Sequence, residues 1–356
     1  MKNIKDYDLQ DLKEELVNIG EKGFRAEQIF KWLYQEKVKS FDEMTNLSLE
    51  LREKLKENYT ICNYNILRKL ESADGTKKYL FDILDGNAIE SVLMEYHYGK
   101  SICVSSQVGC KMGCKFCAST GIPFIRSLTA GEIVEQILAV EQDTGEKISN
   151  IVFMGIGEPL DNYDNVVKSI RQINYPLGLN IGARHISLST CGLVPNIYRL
   201  ANENIQCTLS ISLHATTDEK RRQTMPIANK YTIKEILDAC KEYIRITGRR
   251  ISIEYALIYG QNDSKEDALA LAKLLKGMIA HVNLIPVNEI KNGAYKKATE
   301  KSVENFMNTL NSCGIVTTVR RELGSDIDAA CGQLRKKYID KTDEFAQKNY
   351  TLKENN

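Results

Sequence analysis

Residues 109–117 read GCKMGCKFC and set Cys110, Cys114 and Cys117 in a C-x3-C-x2-C spacing. Three thiolates this close suit one metal ion or one cluster, and sulfur ligands favour zinc and iron–sulfur centres. A structural zinc site is closed by four ligands, usually as two close pairs. No second pair of suitable spacing occurs in the chain, so zinc would need a remote fourth ligand such as Cys103 or His97. A cubane [4Fe–4S] cluster normally takes four cysteines; held by three, it would keep one iron open for another ligand.

The chain has 10 cysteines. In a reducing compartment, close cysteine spacing means metal binding or catalysis more often than a disulfide framework. Cys62, Cys207, Cys240 and Cys313 sit among apolar neighbours and read as small buried hydrophobes. Cys331 does not fit that reading, because DIDAACGQL surrounds it with Asp, Ala and Gly in an apparent loop. Cys103 precedes the cluster by seven residues, on a strand.

The elements that must position these groups follow from periodicity. Residues 1–60 are helical in pattern, with Ile29, Phe30, Leu33 and Tyr34 on one helix face and Leu47, Leu51 and Leu55 on another. KKYLFDILDGNAIESVLMEY predicts a hairpin turning at Asp85-Gly86, with Glu90 in its second strand. From residue 98 strands and helices alternate: SICVSSQ, NIVFMGIG, HISLSTC, CTLSISLHA, ISIEYALI and HVNLIPVN, with IVTTVRREL as one further candidate. Repeated βα units predict a parallel sheet covered by helices, as an open sheet or a barrel. The expected divisions are a helical accessory domain over 1–60, a hairpin connector over 61–97, a βα domain over 98–335 and a charged tail over 336–356.

Period two places Cys103, Ser105 and Gln107 on one strand face, Ser187, Ser189 and Cys191 on the next, then Ser210, Ser212 and His214, then Ser252 and Glu254. The opposite faces carry Ile, Val and Leu. A barrel filled with side chains would turn branched apolar residues inward, so these small polar faces predict a cavity for a polar ligand. Solvent-facing positions on an open sheet are the alternative.

Composition bounds the rest. The 356 residues are 43% hydrophobic and 27% charged, with 6 Pro and 22 Gly, which excludes wholesale disorder and low-complexity architectures. No apolar run approaches the roughly 20 residues of a membrane span, and MKNIKDYDLQ does not have the form of a secretory leader; a cytoplasmic location is expected, with no membrane partner. The net charge of +1 neither demands nor excludes a polyanionic partner, so a nucleic-acid site would have to be a local patch. Candidate phosphate contacts are Arg25, Arg126, Arg221, Arg222, Arg249, Arg250, Arg320 and Arg321.

The C-x3-C-x2-C run after the first strand, with Phe116 before its last cysteine and Gly155 to Pro159 ending the second strand, resembles the radical S-adenosylmethionine (SAM) superfamily. Within it, CVSSQVGC, CKFC, GEPL, LST, SISLHA, NLIP and DIDAACGQL, with GFRAEQIFKWLY and FDEMTNLS near the amino terminus, resemble the RlmN family. Those enzymes methylate carbon 2 of an adenosine in 23S rRNA, at the peptidyl transferase centre, and in tRNA next to the anticodon. The resemblance implies a partial (β/α)6 barrel and one [4Fe–4S] cluster on Cys110, Cys114 and Cys117. It implies a SAM pocket lined by Gly157, Glu158, Ser189, Ser212, Leu213, His214 and Asn288. Two SAM molecules are used per turnover, and an electron donor such as flavodoxin or ferredoxin serves the cluster. Cys331 would carry the methyl group, Cys103 would resolve the RNA–protein adduct through a transient disulfide, and Glu90 would accept the ring proton. A related group methylates carbon 8 of the same rRNA adenosine and often has Ala where this chain has Pro159. A zinc-bearing, non-catalytic RNA-binding protein is the alternative of a different class.

Overall fold

The βα alternation closes into one curved sheet. The computed structural model describes residues 1–117, 119–120, 123–287 and 295–327. Its sheet has ten strands: β1 (Asn65–Glu71), β2 (Lys77–Asp82), β3 (Ala88–Tyr96), β4 (Gly99–Cys103), β5 (Asn150–Phe153), β6 (Ile186–Thr190), β7 (Thr208–Ser212), β8 (Ile251–Leu257), β9 (Ala280–Pro286) and β10 (Thr317–Val319). Spatial order follows chain order throughout. β1 to β4 form an antiparallel meander, and every pair from β4 to β10 is parallel.

Seven helices belong to the βα part. They are α4 (Ala130–Thr144), α5 (Tyr163–Asn174), α6 (Val194–Ala201), α7 (Asp218–Thr224), α8 (Ile233–Thr247), α9 (Lys265–Leu275) and α10 (Glu300–Ser312). The start of α4 is fixed by a capping box between Thr129 and Glu132, and that of α8 by one between Thr232 and Glu235. Ile102, Ile151, Phe153, Leu188, Ile211, Ile253 and Leu284 are completely or almost completely buried in the core shared with helix faces. The registers put the small polar residues on the other side: Ser187 opposite Thr208, Ser210 opposite Ser252, Ser212 opposite Glu254, and Glu254 opposite Asn283.

Strands lie about 4.8 Å apart, so a flat sheet would separate β3 from β9 by about 29 Å. Val92 of β3 and Ile285 of β9 nevertheless line one cavity. The sheet therefore curls around that cavity as a partial barrel, and the polar faces look inward.

The predicted hairpin is present as β2 and β3, with Leu84 and Gly86 both at positive φ in its turn. It is part of a larger unit than expected, because β1 pairs with β2 on one side and β4 with β3 on the other. The first strand of the βα series ends at Cys103, so Ser105 and Gln107 leave the strand face assigned to them. Ser105 instead bonds the Glu90 carbonyl and the Gln136 side chain, and Gln107 holds the backbone of Glu158. Cys313 is exposed just after α10, contrary to its reading as a buried hydrophobe, whereas Cys207 and Cys240 are fully buried.

The amino-terminal part contains α1 (Leu9–Asn18), α2 (Arg25–Tyr34) and α3 (Leu49–Asn58). It docks on α4 and α5. Lys5 is buried and bonds Glu135 at 2.5 Å and the Cys62 carbonyl at 2.8 Å. Gln172 donates to the carbonyls of Lys5 and Tyr7. Gly131 opens α4 where a Cβ would stand 2.6 Å from the Asn3 side chain and 2.7 Å from that of Lys5, so the close approach needs glycine. Replacing Glu135 by Gln leaves the Lys5 ammonium buried without its anion. Breaking such a pair costs about 3–5 kcal/mol, and a denaturant melt of Glu135→Gln should fall by that order, with Lys5→Met/Glu135→Leu recovering much of it.

Candidate active site

The carboxyl ends of the parallel strands converge on a cavity of about 540 Å³, within the usual range of small-molecule sites. Barrel enzymes place their chemistry at this end because the loops after each strand meet there. The loop after β4 supplies Cys110, Cys114 and Cys117, and all three line the cavity. Its shape is held from outside: the Lys115 amide donates to the Thr224 carbonyl at 2.9 Å, and Ile125 to Val108 at 2.8 Å. Gly109 has φ +76° and no space for a Cβ, which would lie 2.0 Å from the Pro123 carbonyl oxygen.

Burial pushes the Cys110 thiol up to about 11 and the Cys114 thiol up to about 12, and neighbouring thiols add to the shift in Cys114. A bound metal centre must therefore displace protons from these sulfurs. Among the described residues no three His, Cys, Asp or Glu side chains are gathered closely enough to hold a single metal ion. Three soft sulfur donors spread around one cavity wall fit an iron–sulfur cluster, which presents a separate iron to each thiolate.

Gly155 to Pro159 follow β5 and form the next stretch of wall. Gly157 has φ +108°, and a Cβ there would stand 2.6 Å from that of Gln107, so this turn lies directly on the cysteine loop's approach. The Glu158 carboxylate faces inward to the protein. Its oxygens accept from the amides of Cys191 at 2.8 Å and Leu160 at 3.0 Å, and burial raises its pKa. The side chain thus ties the end of β5 to the end of β6 at the cavity wall.

Ser189 and Ser212 lie on adjacent strands with their hydroxyls 3.5 Å apart. His214 follows β7 at φ +57°. Its Nδ1 accepts from the Ala256 amide at 2.8 Å, and Phe116 meets its ring edge-on at 4.8 Å. Burial, with a smaller contribution from Arg221, brings its pKa down to about 3. The ring is neutral at physiological pH, and with Nδ1 accepting its proton is on Nε2.

Cys103 ends β4 and lines the same cavity, packed with Val92 and Met94. Glu90 is buried on the face of β3 that also carries Val92, whose register partner is Cys103. Its carboxylate lies 3.7 Å from the ammonium of Lys78, which is itself fully buried. Glu90 does not reach the cavity wall, and Leu213 is packed in the core with its side chain away from the cavity. Asn288 and Cys331 lie outside the described residues.

Sequence reading did not nominate Lys78, nor Glu254 as a site residue. Glu254 lines the cavity with its oxygens held by Ser252 at 2.7 Å and Asn283 at 2.8 Å. Its place among the inward serines was legible from strand alternation; the Lys78 ammonium had no such signal. At the rim, Arg320 and Arg321 line the cavity, and the segment after them is clamped to the β1–β2 turn. Asp326 accepts from Ser72 and from the Ala73 amide, and Asp74 accepts from the Gly324 amide. Arg221, one of the suggested phosphate contacts, is completely buried and cannot meet an RNA backbone. Arg126 is engaged by Asp85 and Glu132.

Comparison with known proteins agrees with this architecture. Residues 2–61 match the ribosomal RNA large subunit methyltransferase N-terminal domain, and residues 104–272 the radical SAM superfamily. The "Probable dual-specificity RNA methyltransferase RlmN" of Clostridium perfringens (strain 13 / Type A) is 59% identical over 340 residues, 95% of this chain and 98% of that protein. Its namesake in Clostridium novyi (strain NT) is 55% identical over 95% of this chain and 99% of its own length. The crystal structure of a radical SAM methyltransferase from Sphaerobacter thermophilus superposes with a TM-score of 0.88 at 42% identity, covering 94% of this chain and 99% of that one. The chain belongs to the radical SAM superfamily and, within it, to the RlmN family of RNA methyltransferases.

Proposed function

We propose that this enzyme methylates carbon 2 of an adenosine in 23S rRNA and in tRNA, using a methyl group carried on Cys331. The observation that carries the reading is the meeting of Cys103 with Cys110, Cys114 and Cys117 in one polar-faced cavity, in a chain whose relatives are named as dual-specificity RNA methyltransferases.

Cys110, Cys114 and Cys117 would hold a [4Fe–4S] cluster, and Gly157, Glu158, Ser189, Ser212, Leu213, His214 and Asn288 would seat SAM, two molecules being consumed per turnover. Of these, Leu213 does not line the cavity, and its amide and carbonyl are engaged by the Glu254 carbonyl and by Arg221. When bound, the cluster and SAM supply the one-electron chemistry needed at a carbon that is no nucleophile, and a flavodoxin- or ferredoxin-type protein would donate the electron.

The protein's own groups divide the remaining work. Cys331 accepts the methyl group as a thiolate and later presents its carbon to the adenine ring. Cys331 stands six residues after Ser325, which lines the cavity. Glu90 would accept the proton from carbon 2 only indirectly, since its carboxylate, 3.7 Å from the Lys78 ammonium, lies behind the cavity wall formed by Val92 and Cys103. The Cys103 thiolate then attacks the Cys331 sulfur; a disulfide forms, the sulfur–carbon bond breaks, its electron pair stays on the departing carbon, and that carbon takes up one proton to become the methyl group of the released base. Carbon 2 is out of reach in a stacked pair, so the target base must be unstacked or in a loop. Arg320 and Arg321 at the cavity rim suit its phosphates.

No described helix is long and apolar enough to cross a membrane; the proposed RNA substrates would place the enzyme in the cytoplasm. The test is to digest RNA from cells lacking the protein and from complemented cells, and to locate the methyl group by mass spectrometry. Loss of 2-methyladenosine on deletion and its return on complementation is the expected result. Loss of 8-methyladenosine instead would reject carbon 2.

A further inference from the structure

Arg221 is completely buried in α7, yet it makes no ion pair with any described carboxylate. Its guanidinium donates to three carbonyls: Leu213 at 3.1 Å, Cys191 at 2.6 Å and Ser212 at 3.3 Å. Its Nη1 is buried with no hydrogen-bond partner. A buried cation held only by neutral dipoles is expensive, and such charges are ordinarily matched by an anion.

The surroundings indicate what that anion is. Cys191 lines the cavity, and its carbonyl receives the shortest of the three bonds. The same α7 segment supports the cysteine loop from behind, through the Thr224 carbonyl that accepts from Lys115 and through Met225, which lines the cavity. Gly113 of the loop rests against Pro226. Burial pulls the guanidinium's pKa down, and the thiols of Cys191 and Cys114 oppose that. Other charges facing this spot are few: Asp218 at the start of α7 acts on the guanidinium from a distance while accepting from the Ile233 amide, His214 is neutral, and the Glu158 carboxylate is committed to the amides of Cys191 and Leu160.

We propose that Arg221 is the fixed counter-charge of the iron–sulfur cluster, a positioning residue that favours its one-electron reduced form. This rests on the cluster assignment made above. Thiolate ligands make the centre anionic, and accepting one electron from an external one-electron donor adds one further negative charge. A cation fixed behind the cysteine loop, in low dielectric and in hydrogen-bond contact with no described carboxylate, stabilises the reduced state more than the oxidised one. The arginine is placed for charge and not for contact with substrate, since it has no exposed surface.

The experiment is an anaerobic redox titration with dithionite, followed by electron paramagnetic resonance, on full-length protein reconstituted with ferrous iron and sulfide. Parent, Arg221→Met and Arg221→Lys are compared. Removal of the charge should make reduction at least tenfold less favourable, a drop of at least 59 mV for one electron, while Arg221→Lys stays within a few-fold of the parent. An unshifted potential in Arg221→Met, or an equal shift in Arg221→Lys, would overturn the proposal. Should Arg221→Met not fold, Arg221→Gln takes its place, since it can still donate to the Cys191 or Leu213 carbonyl. Loss of iron from Arg221→Gln with retention in Arg221→Lys has the same meaning as the shift, and loss from both marks a purely structural role that overturns it. A parent protein that takes up no cluster contradicts the cluster assignment itself, so the two failures are distinguishable.

Discussion

Single alanine replacements of Cys110, Cys114 and Cys117 should each abolish methyl transfer to below detection and leave a folded protein. The three thiols are only half-buried and on a loop, so little packing is lost and the unloaded fold should melt close to the parent. On the proposed assignment what is lost is a ligand: a cluster that normally takes four cysteines, and here would have three, would be left with two. Iron and sulfide content should fall with activity in all three variants. A variant that keeps full iron and full activity would remove its cysteine from the ligand set.

The second large effect separates Cys103 from Cys331. On the proposed roles, the adduct between RNA and Cys331 would have no thiolate to release it in Cys103→Ala. A covalent RNA–protein species should accumulate to a substantial fraction of the enzyme, visible on a denaturing gel and lost on nuclease digestion. Cys331→Ala should form none, because the proposed methyl carrier is gone. Both variants should be inactive over many turnovers. Cys103 is buried between Val92 and Met94, so its replacement also costs about 1 kcal/mol of packing, and each variant should be checked for cluster loading first. Equal adduct in the two variants would contradict the division of roles.

Much of this site was legible in the chain because strand alternation is a rigid rule. Ser189, Ser212 and Glu254 share the inward face for the same geometric reason that Leu188, Ile211 and Ile253 share the outer one. The hairpin around Asp85-Gly86 was equally clear, since two apolar strands flank a turn that needs positive φ. β1 gave no comparable signal. Its residues NILRKLE are almost all exposed at the sheet edge, so neither face is forced to be apolar.

Charged residues misled most. Arg221 reads as surface in DEKRRQT, and only the tertiary fold shows that it is wrapped by carbonyls behind the cysteine loop. Lys78 and Glu90 stand next to the polar residues Lys77 and Ser91 in the chain, but their strands are covered and the two meet as a buried pair. Single-sequence patterns register the cost of burying a charge and not the long-range partner that offsets it. Cys103 illustrates the converse. Its type carried no decision, and its place at the end of β4, opposite Val92 and within the cavity of the other three thiols, gives it meaning.

The most direct measurement is made on protein purified without oxygen, reconstituted with iron and sulfide, and reduced in the presence of SAM. About four irons and four sulfides per chain, a brown colour, and 5′-deoxyadenosine that disappears when any one of Cys110, Cys114 and Cys117 is replaced are the expected results. A colourless, zinc-loaded protein that yields no 5′-deoxyadenosine after the same treatment would contradict a three-cysteine cluster open to SAM.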